Sequence, residues 1–106
     1  MEKMILHQTT IQYLVYLKAL GLTEKRLKSY QRVLMDIEDF YGPNMPLEYF
    51  DNATVLDYAR ENDPFDTDPV KVERGAVFCK FTLWMMKNHL IPAWADQMQE
   101  IEKEQL

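Results

Sequence analysis

Residues 76–92, AVFCKFTLWMMKNHLIP, decide the fold of this chain, because they form a nearly unbroken apolar stretch that ends at Asn88, His89 and Pro92. A helix that is apolar almost all round must be surrounded by other helices. The stretch therefore predicts the central element of a small helical bundle. Its polar strip consists of Lys80 and Lys87, which a spacing of seven residues aligns on one side of the helix.

Length and composition predict one folded domain that spans residues 1–106. The chain has 106 residues, of which 47% are hydrophobic and only three are Gly. Lys80 and Lys87 interrupt the longest apolar run, so the sequence predicts no membrane span. The N-terminal apolar core is too short for a signal peptide, and the lone Cys79 excludes an internal disulfide framework. We therefore expect a cytoplasmic protein.

Helix signals recur along the whole chain and predict an all-α fold. The first two helices are expected at about residues 8–20 and 24–41, separated by Gly21 in the left-handed conformation and with Thr23 as the second N-cap. Spacings of three and four residues predict the inward face of the first helix, formed by Leu6, Thr10, Tyr13, Leu17 and Leu20. The same spacings predict the inward face of the second helix, formed by Leu27, Tyr30, Leu34, Ile37 and Tyr41.

Three further helices complete the predicted bundle. Asp51 or Asn52 is expected to cap a third helix that reaches about Glu61, with an inward face formed by Val55, Leu56 and Ala59. Asp68 and Pro69 are a favourable N-cap and first residue for the long fourth helix, which should stop near Asn88. Pro92 can open a short fifth helix that carries Trp94, Met98 and Ile101. The prediction is thus a compact four-helix bundle with a short C-terminal addition.

The net charge of −5 argues at first against a nucleic-acid ligand, because phosphate binding needs a positive surface. The charge is unevenly distributed, however. Residues 1–35 hold six basic and two acidic residues, whereas residues 36–70 hold ten acidic residues and one basic residue. The basic residues of the second and fourth helices are therefore the candidate site. They are Lys25, Arg26, Lys28, Arg32, Lys71, Arg74, Lys80 and Lys87.

Several short motifs occur in a characteristic order along the chain. They are Gly21-Leu22-Thr23, Tyr30, Phe40-Tyr41-Gly42, PLEYF at 46–50, VLDY at 55–58 and the long apolar helix that ends at Leu90-Ile91-Pro92. In this order they resemble the N-terminal, SAM-like core-binding domain of phage integrases and other tyrosine recombinases. The resemblance covers about residues 9–95 and leaves residues 96–106 as a charged tail or helix end.

The resemblance implies a DNA-binding module. Domains of this family clamp duplex DNA with their second and fourth helices, so the eight basic residues above would contact phosphates. The expected binding is weak and salt-sensitive, with a dissociation constant of about 10⁻⁴ to 10⁻⁶ M. The start of the fourth helix departs from the family pattern, since VKVER at 70–74 stands where the family has Thr or Ser followed by Arg. The catalytic domain of the family has no counterpart in this sequence, so we expect no enzymatic activity.

Two other interpretations stay open at this point. The basic residues can be ordinary solvated side chains, since Asp36 and Asp39 continue their stripe and can pair with it. Alternatively, the chain is a protein-interaction module that kept the integrase-like fold. Such a module would bind a recombinase-like or repressor partner through the fifth helix or the acidic segment 57–68.

Other kinds of site lack the residues they need. A metal site requires three or four converging ligands, and His7, His89 and Cys79 show no such pattern. Ser29 is the single serine, and no Gly-rich loop is present, so neither a hydrolase triad nor a nucleotide-binding loop is predicted. We expect no metal, no cofactor and no catalytic residue. The aromatic residues, including Tyr13, Tyr16, Tyr30 and Trp84, are interpreted as packing residues.

Overall fold

Four α-helices make up most of the structure, a computed structural model that describes residues 4–91 apart from the side chain of residue 52. The helices are α1 (Leu6–Ala19), α2 (Glu24–Tyr41), α3 (Asn52–Glu61) and α4 (Pro69–Lys87), with a short 3₁₀ helix at Leu47–Tyr49. Across these residues the backbone forms no strand, and the single β-type contact is an isolated bridge between Ile5 and Pro46. The predicted all-α fold is confirmed.

The long apolar helix α4 lies at the centre of the bundle, as its sequence predicts. α2 and α3 pack against it. Tyr13 of α1 also reaches it, with ring centroids 5.2 Å from Phe81 and 5.1 Å from Trp84. Between residues 77 and 87, only Lys80 and Lys87 are exposed, whereas Trp84 is half-buried and every other side chain is buried. The two lysines therefore mark the one exposed strip of this part of α4.

The helix ends follow the predicted capping signals. Thr23 Oγ1 accepts a hydrogen bond from the backbone N–H of Arg26 at 3.3 Å and caps α2. The Asp51 carboxylate accepts one from Thr54 N–H at 2.8 Å and caps α3. Asp68 caps α4 in the same way, and Pro69 is the first helical residue. Gly21 has a φ of 90°, a conformation that favours glycine and that turns the chain from α1 into α2.

The first helix differs from its prediction at both ends. α1 begins at Leu6 rather than near Gln8, because the N–H groups of Leu6 and His7 donate to the carbonyl oxygens of Met45 and Pro43, each at 2.9 Å. These loop carbonyls satisfy donors that a helix start leaves unpaired. The predicted burial of Leu20 is wrong, since this side chain is 60% exposed. Leu20 follows the last helical residue, so the spacing of α1 no longer determines which way it points.

The inward faces of α2 and α3 are close to those predicted, with two additions. In α2, Val33 is buried together with the predicted Tyr30, Leu34 and Ile37, whereas the predicted Leu27 and Tyr41 are half-buried. In α3, Val55 is buried as predicted, and the predicted Leu56 and Ala59 are half-buried. The most buried side chain of α3 is one that the prediction left out. It is Tyr58, which has no exposed surface and whose ring lies 4.6 Å from that of Phe78.

The C-terminal part of the prediction lies outside the described residues. This applies to the fifth helix with Trp94, Met98 and Ile101, and to the charged tail at 96–106. No helix within residues 4–91 combines the length and the apolar character needed to cross a membrane.

Candidate nucleic-acid interface

In the structure α2 packs against α4. This packing is required for cations of the two helices to lie close together. The structure nevertheless distributes the eight predicted basic residues over more than one surface. Three of them, one from α2 and two from α4, converge on a single depression. These three are Arg26, Lys80 and Lys87.

This depression, which we name the cationic groove, lies where the end of α1, the start of α2 and the C-terminal half of α4 come together. Its volume is about 270 Å³. Besides the three cations it is lined by aromatic and aliphatic side chains, which are Tyr13, Tyr16, Leu17, Leu20, Leu22, Tyr30, Leu83 and Trp84. Among residues 4–91, none of those that line the groove is acidic. The groove is therefore a positive site although the chain as a whole is negative.

Helical spacing explains why these cations face the groove. Arg26 precedes the buried Tyr30 by four residues, and residues four apart share one face of a helix. On α4, Trp84 follows Lys80 by four residues and precedes Lys87 by three, so the indole lies on the same strip as both lysines. The groove therefore has an aromatic ring positioned between two long cationic side chains.

Contacts between rings make the aromatic lining of the groove well packed. Tyr13 contacts Trp84 and Tyr30, with ring centroids 5.1 and 6.3 Å apart, and Tyr16 lies 5.9 Å from Trp84. Such offset and edge-on arrangements are the favourable ones for aromatic pairs. Burial, followed by the neighbouring Tyr30 and Tyr16, raises the pKa of the Tyr13 hydroxyl, so this residue is uncharged at neutral pH. The lining is thus preorganised and carries no negative charge of its own.

A concave site that combines cations with aromatic rings suits an anion that also has an apolar, planar part. The chain matches no protein-family model, and neither a curated protein nor a solved structure is significantly similar to it. The cationic groove and the remaining charged residues are therefore the basis for proposing a function.

Two of the predicted α4 cations lie in a different environment. The guanidinium Nε of Arg74 pairs with Asp36 Oδ2 at 3.4 Å. The pKa of Asp66 is lowered mainly by a hydrogen bond from the backbone N–H of Asp68 and to a smaller extent by the positive charge of Lys71. Both cations line a second depression of about 550 Å³. Its other lining residues are Asp36, Asp39, Phe40, Arg60, Glu61 and Asn62. Charges of both signs alternate there, so Lys71 and Arg74 do not enlarge the positive surface of the groove.

The other predicted cations of α2 do not line the groove. Arg32 donates a hydrogen bond to Ser29 Oγ at 3.3 Å and lines a third, smaller depression that Glu73 also lines. Lys25 and Lys28 are exposed and line none of these three depressions. Arg26 is therefore the one basic residue of α2 that lines the groove together with Lys80 and Lys87.

The candidate ligands for other chemistry are dispersed. His7 Nδ1 lies 2.7 Å from Glu38 Oε1, which also accepts a hydrogen bond from Thr10 Oγ1 at 2.9 Å, while Cys79 is buried in the core. In the part of the chain that the structure describes, no group of three or more His, Cys, Asp and Glu side chains could hold a metal ion.

The sequence predicts packing for the aromatic residues of the groove and does not reveal that they also line a depression together with cations. Tyr13 and Tyr30 do belong to the core, but Tyr16 is 42% exposed and Trp84 is half-buried. The position of Trp84 between Lys80 and Lys87 could have indicated that the indole lies beside both cations, because this spacing places it on the exposed strip of α4. The contribution of Tyr16 and Leu20 depends on how α1 crosses α4, which helical spacing does not reveal.

Proposed function

We propose that this chain is a cytoplasmic, non-catalytic DNA-binding module that contacts the backbone of duplex DNA through α2 and α4. In keeping with its resemblance to integrase core-binding domains, we propose a role in recombination or in the regulation of a mobile element. The single observation that carries the proposal is the convergence of Arg26, Lys80 and Lys87 on one groove, whose described lining residues include no acidic side chain.

Physical chemistry supports this proposal in spite of the negative net charge. Phosphate binding depends on the local arrangement of cations, because each phosphate that is neutralised releases condensed counterions. Asp36 and Asp39 of α2 and Glu61 of α3 line the second depression and do not line the groove. A few phosphate contacts are enough for non-specific binding with a dissociation constant of about 10⁻⁴ to 10⁻⁶ M.

The proposal is tested by titrating a labelled duplex with the full chain between ~50 and ~200 mM salt. We expect Arg26→Gln and Lys80→Gln each to weaken binding about 3- to 10-fold and to lower the slope of log affinity against log salt by about 0.9. Lys71→Gln should have a smaller effect, because Lys71 lines the second depression, where acidic side chains surround it, and does not line the groove.

Matched controls use the same change of charge elsewhere on the molecule. Arg60→Gln alters a cation of the mixed depression, and Lys18→Gln alters an exposed lysine of α1 that does not line the groove. Both variants should bind as the parent chain does. Absence of binding at ~50 mM salt, or equal losses in the controls, would contradict the proposal.

The apolar lining of the groove favours a second candidate function, a protein-interaction module for a recombinase-like or repressor partner. Leu20 is 60% exposed and Tyr16 is 42% exposed, and exposed apolar groups next to cations suit a partner segment with acidic residues around an apolar anchor. A pull-down from the native host, performed with and without nuclease, distinguishes the two functions. A specific partner that is retained after nuclease treatment would favour this candidate.

A further inference from the structure

The cationic groove has a feature that contact with a smooth duplex backbone does not require. A run of phosphates needs cations and hydrogen-bond donors, whereas most residues that line this groove are aromatic or aliphatic. Tyr16 and Trp84 keep part of their rings accessible beside the cations. A ligand that only presented phosphates would leave these rings in water.

We infer that the groove holds a single unpaired nucleotide, with its base against Tyr16 and Trp84 and its phosphates next to Arg26, Lys80 and Lys87. This inference rests on the proposed function and deepens it, because it names the form of DNA that the site prefers. The preferred ligand is DNA with an unpaired base, as at a bulge, an overhang or a junction.

The composition of the groove supports this ligand. Proteins that bind single-stranded nucleic acid combine a positive groove along the backbone with aromatic side chains on which bases stack. Four of the residues that line the groove are aromatic, namely Tyr13, Tyr16, Tyr30 and Trp84, and three are cations. Stacking does not require hydrogen bonds to base edges, and the groove residues have few side-chain acceptors that could read them. The site should therefore tolerate any base.

The size of the groove limits what enters it. Its volume of about 270 Å³ lies just below the ~300 Å³ at which sites for small-molecule ligands typically begin. One planar ring and its linked phosphate match this space better than a stacked base pair does. The rest of the duplex would then lie outside the groove, on the exposed surface beside it.

An acidic peptide with an aromatic residue is the competing occupant. The nucleotide is favoured because the partly exposed rings of Tyr16 and Trp84 lie beside three cations and offer a surface for stacking rather than hydrogen-bond partners for peptide groups. The peptide is therefore one of the outcomes that the experiment must detect.

The experiment compares three labelled DNA probes at one salt concentration, using the full chain. The first is a fully paired duplex, the second carries one extra unpaired base, and the third has an abasic site at that bulge. We expect the bulged probe to bind at least about fivefold more tightly than the paired one, which is the lower end of the effect of stacking one base. The abasic probe should lose this advantage, because it keeps the flexible phosphate but has no ring.

Substitutions then assign the preference to the groove. Tyr16→Ser removes an exposed ring and should abolish the preference for the bulge while the paired duplex still binds. Trp84→Leu provides a second test at the half-buried indole, with its fold checked by thermal melting. Tyr49→Ser is the matched control, since this tyrosine is 60% exposed and does not line the groove.

Equal affinity for bulged and paired probes would overturn the inference, as would a preference that both groove variants retain. Displacement of the bulged probe by an acidic peptide with one aromatic residue, at a lower concentration than a competing oligonucleotide requires, would also overturn it. The proposed function is judged separately. If the paired duplex binds and Arg26→Gln weakens that binding, duplex binding stands even when the preference for an unpaired base is absent.

Discussion

The hydroxyl of Tyr58 is buried together with its ring, and it has a defined polar partner. It donates a hydrogen bond to Asp36 Oδ2 at 2.8 Å, and the same carboxylate oxygen pairs with Arg74 at 3.4 Å. Burial, and then the hydrogen bond to Asp36, raises the pKa of the Tyr58 hydroxyl. One tyrosine of α3 is therefore linked to an acid of α2 and a base of α4. This explains why a residue with a polar end is completely buried.

Replacement of Tyr58 by Phe tests this link. We expect the free energy of unfolding to fall by about 0.5 to 1.5 kcal/mol, the usual net contribution of one hydrogen bond. The loss stays modest because the Asp36 side chain is 33% exposed and can bind water instead. Urea denaturation measures the change, and Tyr49→Phe at an exposed position should leave stability unaltered. Equal stability of both variants would show that the hydroxyl of Tyr58 contributes nothing.

The close approach of α4 to the loop before it depends on Gly75. A Cβ atom at this position would overlap the carbonyl oxygen of Asn62 and would lie 2.7 Å from the backbone nitrogen of Pro64. Both obstacles are backbone atoms, so they cannot rotate away as the end of a side chain could. The acidic loop between α3 and α4 is therefore held against the helix at a point where a larger residue does not fit.

We expect Gly75→Ala to destabilise the protein although alanine is the better helix former. The gain in helix propensity is about 1 kcal/mol, whereas overpacking typically costs about 1 to 3 kcal/mol. Because backbone must move, we expect a net loss of about 1 to 2 kcal/mol in urea denaturation. Glu73→Ala, at an exposed position of the same helix, is the control. A Gly75→Ala variant as stable as the parent would mean that the loop does not pack this closely.

Basic residues of α2 that are neighbours in sequence lie on different faces of the helix and have different surroundings. Lys25, Arg26 and Lys28 are all exposed, but of these three residues Arg26 alone lines the groove together with residues of α1 and α4. Helical spacing predicts this division, since Arg26 precedes the buried Tyr30 by one turn. It does not predict which residues of the other helices come opposite Arg26, because that depends on how the helices cross.

Three tyrosines, of which Tyr13 and Tyr58 are buried and Tyr41 is half-buried, connect the outer helices to α4. Tyr13 of α1 packs on Phe81, with ring centroids 5.2 Å apart. Tyr41 of α2 and Tyr58 of α3 both pack on Phe78, at 6.3 and 4.6 Å. Burial raises the pKa of all three hydroxyls above the ordinary value of 10.0. Each outer helix thus contributes a tyrosine whose ionisation opposes folding.

These tyrosines predict an unfolding transition at alkaline pH. Since their pKa is higher in the folded state than in the unfolded state, the stabilisation is complete below pH 10.0 and is lost as pH rises towards the folded-state values. The melting temperature should therefore fall above this pH, and tyrosinate absorbance should rise together with the loss of helical circular dichroism. Tyr58→Phe should make the decline with pH shallower, because one fewer proton is released on unfolding. Ionisation of all tyrosines in a protein that stays helical would contradict this prediction.

The helices of this protein follow from local features of its amino-acid sequence. Apolar spacing and capping residues identified four helices, and the apolar character of residues 76–92 identified the central one. These signals are local, because a helix forms and ends according to residues within a few positions of each other. One exception is local, since the chain leaves the helix before Leu20. The other is tertiary, since the carbonyl oxygens of Pro43 and Met45, which are distant along the chain, accept from the first N–H groups of α1 and start it early.

Only the tertiary structure decided which charges meet. Arg26 comes to lie beside Lys80 and Lys87, whereas Arg74 meets Asp36 and Lys71 faces a mixed set of charges. The five basic residues among these all lie on amphipathic or exposed strips, so the sequence alone does not distinguish them. Their electrostatic environment is determined by side chains that are distant along the chain and become neighbours when the helices pack. A negatively charged protein can therefore contain a positive groove that its sequence does not delimit.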